Sequence, residues 1–189
     1  VKHQTEARRR AIYKTFGLIQ GEYGIVTLHR PSNVDSVETL WAYCELLIRL
    51  SKKIPLLFPL HPRTRKRLIE AELFEPLANS VMITEPLGYI DFLSALQEAR
   101  IVLPDSGSIQ QESAVLGVHC LIARDNTERA FCIHEGTSHL GGVEPQKIEA
   151  NFERLLETPA TQPALTKLQD GRAGMRIARR IVDYLAAHD

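Results

Sequence analysis

The residues best suited to chemistry sit where apolar runs end. In "IVLPDSGSIQQESAVLG" (101–117) an apolar run stops at Pro104-Asp105, and a helical pattern begins almost without a loop, through Ser106, Gly107 and Ser108, with Glu112 further along. A helix that starts directly after a strand points its free N–H groups and the positive end of its dipole over the sheet edge, where an anion is stabilised. Gly107 would let a phosphate approach the backbone, the Ser106 and Ser108 hydroxyls can donate, and Glu112 can accept from ribose hydroxyls. A simple N-cap serine and a favourable early-helix charge account for the same residues equally well. "ARDNTERAF" (123–131) adds Arg124 and Arg129, whose guanidinium forks suit phosphate oxygens, although such runs are usually surface Arg–Glu pairs. In "TLHRPSNVDS" (27–36), His29 and Arg30 close another apolar run, and Pro31, Asn33 and Asp35 make a turn and cap into a helix starting near Ser36.

Something must bring these segments together. Apolar runs at 24–29, 55–60, 80–85, 100–105 and 119–124 predict five buried strands, and helical patterns at 37–53, 63–73, 89–99 and 108–117 alternate with them. That alternation predicts an α/β fold, a Rossmann-like three-layer αβα sandwich around a parallel sheet, with ligands at the carboxyl ends of the strands. Further helices are expected at 144–158 and 170–188, joined by a linker that Pro159, Pro163 and Gly171 keep irregular. The opening segment, Lys2 to Phe16, is expected as one charged amphipathic helix. A single domain, 1–189, accounts for the 189 residues.

Composition narrows the function. Lys+Arg and Asp+Glu both number 23, so net charge is zero, which argues against nucleic-acid binding. Cys44, Cys120 and Cys132 are odd in number and widely spaced, as for buried thiols in a reducing compartment. With no signal-peptide core and no membrane-length apolar run, a cytoplasmic location and no membrane partner are expected. The 7 histidines and 3 cysteines show no metal-ligand spacing.

"TLHRPSNVD", "PLLFPLHP", "DSGSIQQESAVLG" and "LIARDNTER...EGT" together resemble the C-terminal half of the non-hydrolysing UDP-N-acetylglucosamine 2-epimerases, from about Gly24 to Leu185. That family resembles the GT-B glycosyltransferases, with two Rossmann-like domains and a nucleotide sugar between them. The resemblance implies that Ser106, Gly107 and Ser108 hold the diphosphate, Glu112 the ribose hydroxyls, and Arg129 the diphosphate region. It implies that Phe92 and the Leu87 backbone lie near the uracil, although a Phe on an amphipathic helix is usually core. His29 corresponds to a cleft histidine in catalysis or in stabilising departing UDP, Arg30 follows it as in the family, and His61 corresponds to a contact for a second, activating nucleotide sugar. Departures at Ser108, at Ala130-Phe131 and at Pro31-Ser32-Asn33 bear on which sugar is accepted.

The implied function is the UDP-binding half of an epimerase that interconverts UDP-N-acetylglucosamine and UDP-N-acetylmannosamine, in cell-envelope polysaccharide biosynthesis, with no metal or NAD cofactor. The family chain is about twice this length, so the partners implied are a UDP-sugar and a missing N-terminal domain bearing the acid/base carboxylates, in a homodimeric parent. Residues 1–20 would be the connector to that domain and 170–189 the closing helix. The fragment alone is expected to be inactive. The alternatives are the nucleotide domain of a GT-B glycosyltransferase and a non-catalytic nucleotide-sugar-binding module.

Overall fold

The computed structural model describes residues 2–134, 137–159, 162–163 and 171–188. Six strands form one sheet: β1 Gly24–Thr27, β2 Leu56–Pro59, β3 Met82–Thr84, β4 Ile101–Pro104, β5 His119–Ile122 and β6 Ser138–Leu140. Their order is β3-β2-β1-β4-β5-β6 and every neighbouring pair is parallel. The helices are α1 Lys2–Arg10, α2 Pro31–Val34, α3 Val37–Ser51, α4 Pro62–Glu70, α5 Phe74–Ala78, α6 Tyr89–Leu96, α7 Gly107–Leu116, α8 Ala130–His134, α9 Pro145–Glu157 and α10 Ala173–Ala186. This is the α/β Rossmann-like architecture expected, with five of the six strands at the predicted runs.

Successive strand side chains alternate between two apolar layers, as the pleat requires. Val26, Phe58, Leu103 and Leu121 face a cluster that α3 and α9 complete through Leu46, Leu47, Leu50, Phe152 and Leu155. Ile25, Leu57, Val102 and Cys120 face the other way, toward Tyr13, Leu18, Tyr23, Ala95, Leu96 and Ile109. Burial on both faces is why these strands are nearly unbroken apolar runs.

Two predicted helices are interrupted. The opening segment is not one helix to Phe16: α1 stops at Arg10, Ala11 takes a left-handed conformation (φ 44°), and Ile12–Phe16 is a 3-10 turn. The Ser94 hydroxyl accepts from the Ile12 N–H at 3.1 Å, replacing the bond that a continuous helix would have made. Ala7, Tyr13 and Leu18 are buried, so this segment is packed into the domain. The helix expected over 63–73 ends at Glu70; Glu72 is left-handed (φ 58°) and α5 follows. The linker residues 160–161 and 164–170, Asp170 of the closing helix, and Glu135-Gly136 of the "EGT" motif lie outside the described residues. None of the residues of α10 is buried, and Met175, Ile177, Ile181, Val182, Tyr184 and Leu185 are exposed. No described helix is long and apolar enough to cross a membrane.

Candidate functional site

The strand order reverses direction between β1 and β4, because β1 leads outward to β2 and β3 and the chain then returns to lay β4 on the other side of β1. The carboxyl ends of these two strands are therefore the switch point, where this fold class opens a crevice. Their last paired residues are Thr27 and Pro104, and the Asp105 N–H extends the ladder by donating to the Thr27 carbonyl at 3.1 Å.

Asp105 is 0% exposed. Its Oδ2 accepts the N–H groups of His29 and Arg30, each at 2.7 Å, and the Asn33 amide at 3.3 Å. Oδ1 lies 2.8 Å from His29 Nδ1 and has no aligned hydrogen-bond donor among the described residues. Arg30 Nε donates to the Asp105 carbonyl at 2.7 Å, and Asn33 also reaches the Ala123 carbonyl at 3.4 Å. Pro31-Ser32-Asn33 is thus not a free turn but the start of α2, with Asn33 buried beneath the strand ends. Ser36 caps α3 by accepting from the Thr39 N–H, as the sequence predicts.

On one side of His29 lies a small cleft of about 170 Å³ walled by His29, His61, Leu87 and Phe92 over Leu28 and Pro59. It gathers four of the predicted site residues. The His29 and His61 rings are 5.3 Å apart and tilted by 35°. His61 Nδ1 accepts the Arg63 N–H at 3.2 Å and so caps α4. Phe92 packs against the apolar layer of Ile25 and Leu57 and is also partly exposed in the cleft, so it serves both surfaces.

On the other side is the start of α7. Ser106 stands at the N-cap position, yet its hydroxyl makes no cap bond, is buried, and has no partner among the described residues. The N-cap reading of Ser106 therefore fails, and a buried donor is left for something else. Arg129 Nε is buried and unpartnered in the same way. A β-carbon on Gly107 would lie 2.6 Å from Glu128 Oε1 and 3.7 Å from Arg129 Nε. The Glu128 carboxylate, held by Arg124 at 3.0 Å and within 4.0 Å of Arg30, thus lies over the helix start. Its own backbone N–H, then Arg124, hold it below the ordinary carboxylate range. A helix N-terminus flanked by cations already carries an internal anion.

The remaining predicted residues divide. Arg124 is engaged with Glu128 and Asn126, so the paired-surface reading holds for it and not for Arg129. Ser108 is exposed on the first turn of α7, and Glu112 is half-buried, its carboxyl raised by burial. Sequence reasoning missed Asp105 as a partner of His29 and Glu128 as the group over Gly107. It also missed Gln110, which donates to the Ser106 carbonyl at 3.2 Å and accepts from Thr127, whose oxygen takes the Arg129 N–H at 3.0 Å. That chain moors the 124–129 loop to α7. No group of three or more His, Cys, Asp and Glu among the described residues could hold a metal ion.

Fold and crevice define the class: a doubly wound α/β protein with a helix N-terminus and a histidine at its switch point. A family model described as UDP-N-acetylglucosamine 2-epimerase matches residues 1–182, and the chain belongs to that family. It is 35% identical over 166 residues to a UDP-N-acetylglucosamine 2-epimerase of Methanocaldococcus jannaschii, covering 86% of this chain and 45% of the relative. A crystal structure of the M. jannaschii epimerase in complex with UDP-GlcNAc and UDP matches with a TM-score of 0.78 and 31% identity, over 94% of this chain and 52% of that one. A UDP-2,3-diacetamido-2,3-dideoxy-D-glucuronate 2-epimerase of Pseudomonas aeruginosa is 31% identical over 170 residues, 88% of this chain and 45% of the relative. The chain spans about half the length of the relatives it matches.

Proposed function

We propose that this chain is the UDP-binding half of an enzyme that epimerises a UDP-N-acetylhexosamine at C2, interconverting UDP-N-acetylglucosamine and UDP-N-acetylmannosamine. The observation that carries the reading is the pair of buried donors, Ser106 Oγ and Arg129 Nε, without a partner among the described residues, around a helix start whose approach at Gly107 is filled only by the far end of the Glu128 side chain, which an arriving phosphate can displace. Ser106, Gly107, Ser108 and Arg129 would hold the diphosphate, Glu112 the ribose, and Leu87 with Phe92 the base. His29, beside them, would stabilise the charge that develops as UDP leaves.

The reaction removes the C2 proton, expels UDP to give a glycal-like intermediate, and re-adds UDP with protonation from the opposite face. It needs an acid/base group on each face of the sugar. The carboxylate nearest His29 is Asp105, which is sealed from solvent and occupied by backbone N–H donors, so it is unsuited to reach a sugar carbon. The acid/base groups are accordingly assigned to the half of the parent that this chain does not span. A second UDP-sugar at His61 and a cytoplasmic parent remain parts of this proposal. The similarity to the diacetamido-glucuronate epimerase makes that sugar the second candidate substrate, and the departures at Ser108, at Ala130-Phe131 and at Pro31-Ser32-Asn33 are where the two would be told apart.

Calorimetry tests the nucleotide half: the chain should bind UDP and bind uridine far more weakly. Equal affinity, or no heat at millimolar UDP, would overturn the cradle. Deuterium exchange at C2 tests the division of labour. The chain alone should incorporate none, and incorporation would return the acid/base groups to this half.

A further inference from the structure

We infer that Asp105 is the positioning residue for His29: its carboxylate fixes the imidazole proton on Nδ1 and so presents Nε2 to the cleft where the leaving diphosphate would lie. The inference rests on the nucleotide reading above and goes beyond it by naming the group that sets the state of its histidine.

The geometry is specific. A carboxylate only accepts hydrogen bonds, and Oδ2 of Asp105 is already filled by the His29 and Arg30 N–H groups and the Asn33 amide. Oδ1 is buried, has no aligned donor among the described residues, and lies 2.8 Å from His29 Nδ1. That contact is close but not aligned as a hydrogen bond, and a proton on Nδ1 with a small turn of the ring is the arrangement that satisfies Oδ1. The carboxylate cannot easily swing away, since the Asp105 N–H is held by Thr27 and its carbonyl by Arg30 Nε. His29 itself remains 38% exposed, so the ring edge not turned to Asp105 is open to a ligand. When the ring is doubly protonated, Nε2–H donates to the departing phosphate while Nδ1–H stays on Asp105, and the positive charge on the ring is balanced by a carboxylate whose position is already set. No carbon–oxygen bond is made or broken by Asp105 itself. Because Asp105 immediately precedes Ser106-Gly107, one residue fixes both the diphosphate cradle and the group that answers the charge on it.

Nitrogen-15 NMR of the His29 ring tests this in the chain as it stands, under conditions where the ring is neutral. The expected spectrum has the proton on Nδ1. In Asp105→Asn, which keeps an acceptor for the backbone N–H groups, the ring should shift toward the Nε2–H tautomer. In the full-length parent, Asp105→Asn should lower kcat about 10- to 100-fold with little change in KM, the scale of losing an imidazole's outer partner. In a His29→Asn background it should cost almost nothing further. A wild-type ring protonated at Nε2 would overturn the inference with no variant needed, so a misfolded Asp105→Asn cannot shield it. Equal losses with and without His29 would also overturn it. A UDP titration of the same sample reports separately: an Nδ1–H ring in a chain that ignores UDP would sink the nucleotide reading and leave the Asp105–His29 arrangement standing.

Discussion

Glu128 Oε1 lies 2.6 Å from the point where a β-carbon on Gly107 would stand, so this carboxylate occupies the approach to the α7 N-terminus. A diphosphate would have to displace it, since two anions would not share one helix start. Its side chain is 49% exposed, so displacement is feasible. Glu128→Gln should therefore tighten UDP binding about two- to fivefold, the modest scale of an exposed charge, and leave uridine binding alone. Weaker UDP binding by the variant would mean that Glu128 helps to hold the nucleotide.

Gly107→Ala separates space from charge at the same point. The added methyl meets the far end of the Glu128 side chain, which can move, so the fold should melt near the wild-type temperature. A phosphate oxygen seated on the Gly107 backbone has no such freedom. UDP affinity should fall about tenfold or more, ~1.4 kcal/mol, measured by calorimetry. Unchanged affinity would show that the phosphate does not approach this backbone.

Glu112 carries a prediction with opposite signs for stability and binding. Burial holds its carboxyl above the ordinary range. A raised carboxyl favours the fold at pH values below the ordinary range, and that contribution is lost as pH rises through the folded-state value. Ionised Glu112 is thus a cost to the fold at neutral pH. Glu112→Gln should melt slightly higher than wild type at pH 7, with the gap closing toward pH ~4. If Glu112 accepts from the ribose hydroxyls, the same variant should bind UDP more weakly by roughly 1.5–3 kcal/mol. A variant that gains stability and binds UDP normally would dismiss Glu112 as a ligand.

Tyr43 tests the core beneath the site. Its hydroxyl is buried with no hydrogen-bond partner among the described residues, and burial, then the fields of Asp105 and Asp125, push its pKa strongly upward, so it stays neutral. An orphaned buried hydroxyl costs about 1–3 kcal/mol. Tyr43→Phe should accordingly raise stability by roughly 1 kcal/mol in urea unfolding, with UDP binding unchanged. A destabilised variant would point to a partner for the hydroxyl.

Much of this was legible in the sequence, for a physical reason that also marks where legibility stops. Strands buried on both faces must be apolar throughout, so β1 to β5 stand out, while β6 spans only Ser138–Leu140 and carries a histidine in its middle. The break at Ala11 depends on Ser94 taking the Ile12 N–H, a contact between segments 82 positions apart that no local pattern announces. In the site, the junction through Ser106 and Gly107 was legible, because a strand that runs directly into a helix announces itself locally. The role of Asp105 was not, since the N–H groups it accepts lie 75 and 76 positions away in another strand's end. Glu128 was misleading, because an acidic residue is the least expected neighbour of an anion cradle until the folded loop puts it there.

The β1–β4 pairing has a consequence for how rigidity is distributed around the crevice. Thr27, His29, Arg30 and Asp105 are tied together just past the ends of the two central strands, by the Asp105 N–H on the Thr27 carbonyl and by the His29 and Arg30 N–H groups on the Asp105 carboxylate, whereas Glu128 and Arg129 hang on a loop moored to α7 mainly through Gln110 and Thr127. Central strands open only with the whole domain, and loops open on their own. One bank of the crevice is therefore stiff and holds the histidine in register, while the other can yield to an arriving anion without loosening the sheet. Changes in which sugar is admitted can accumulate on the yielding bank at little cost to folding, and the histidine's bank is the one that tolerates least.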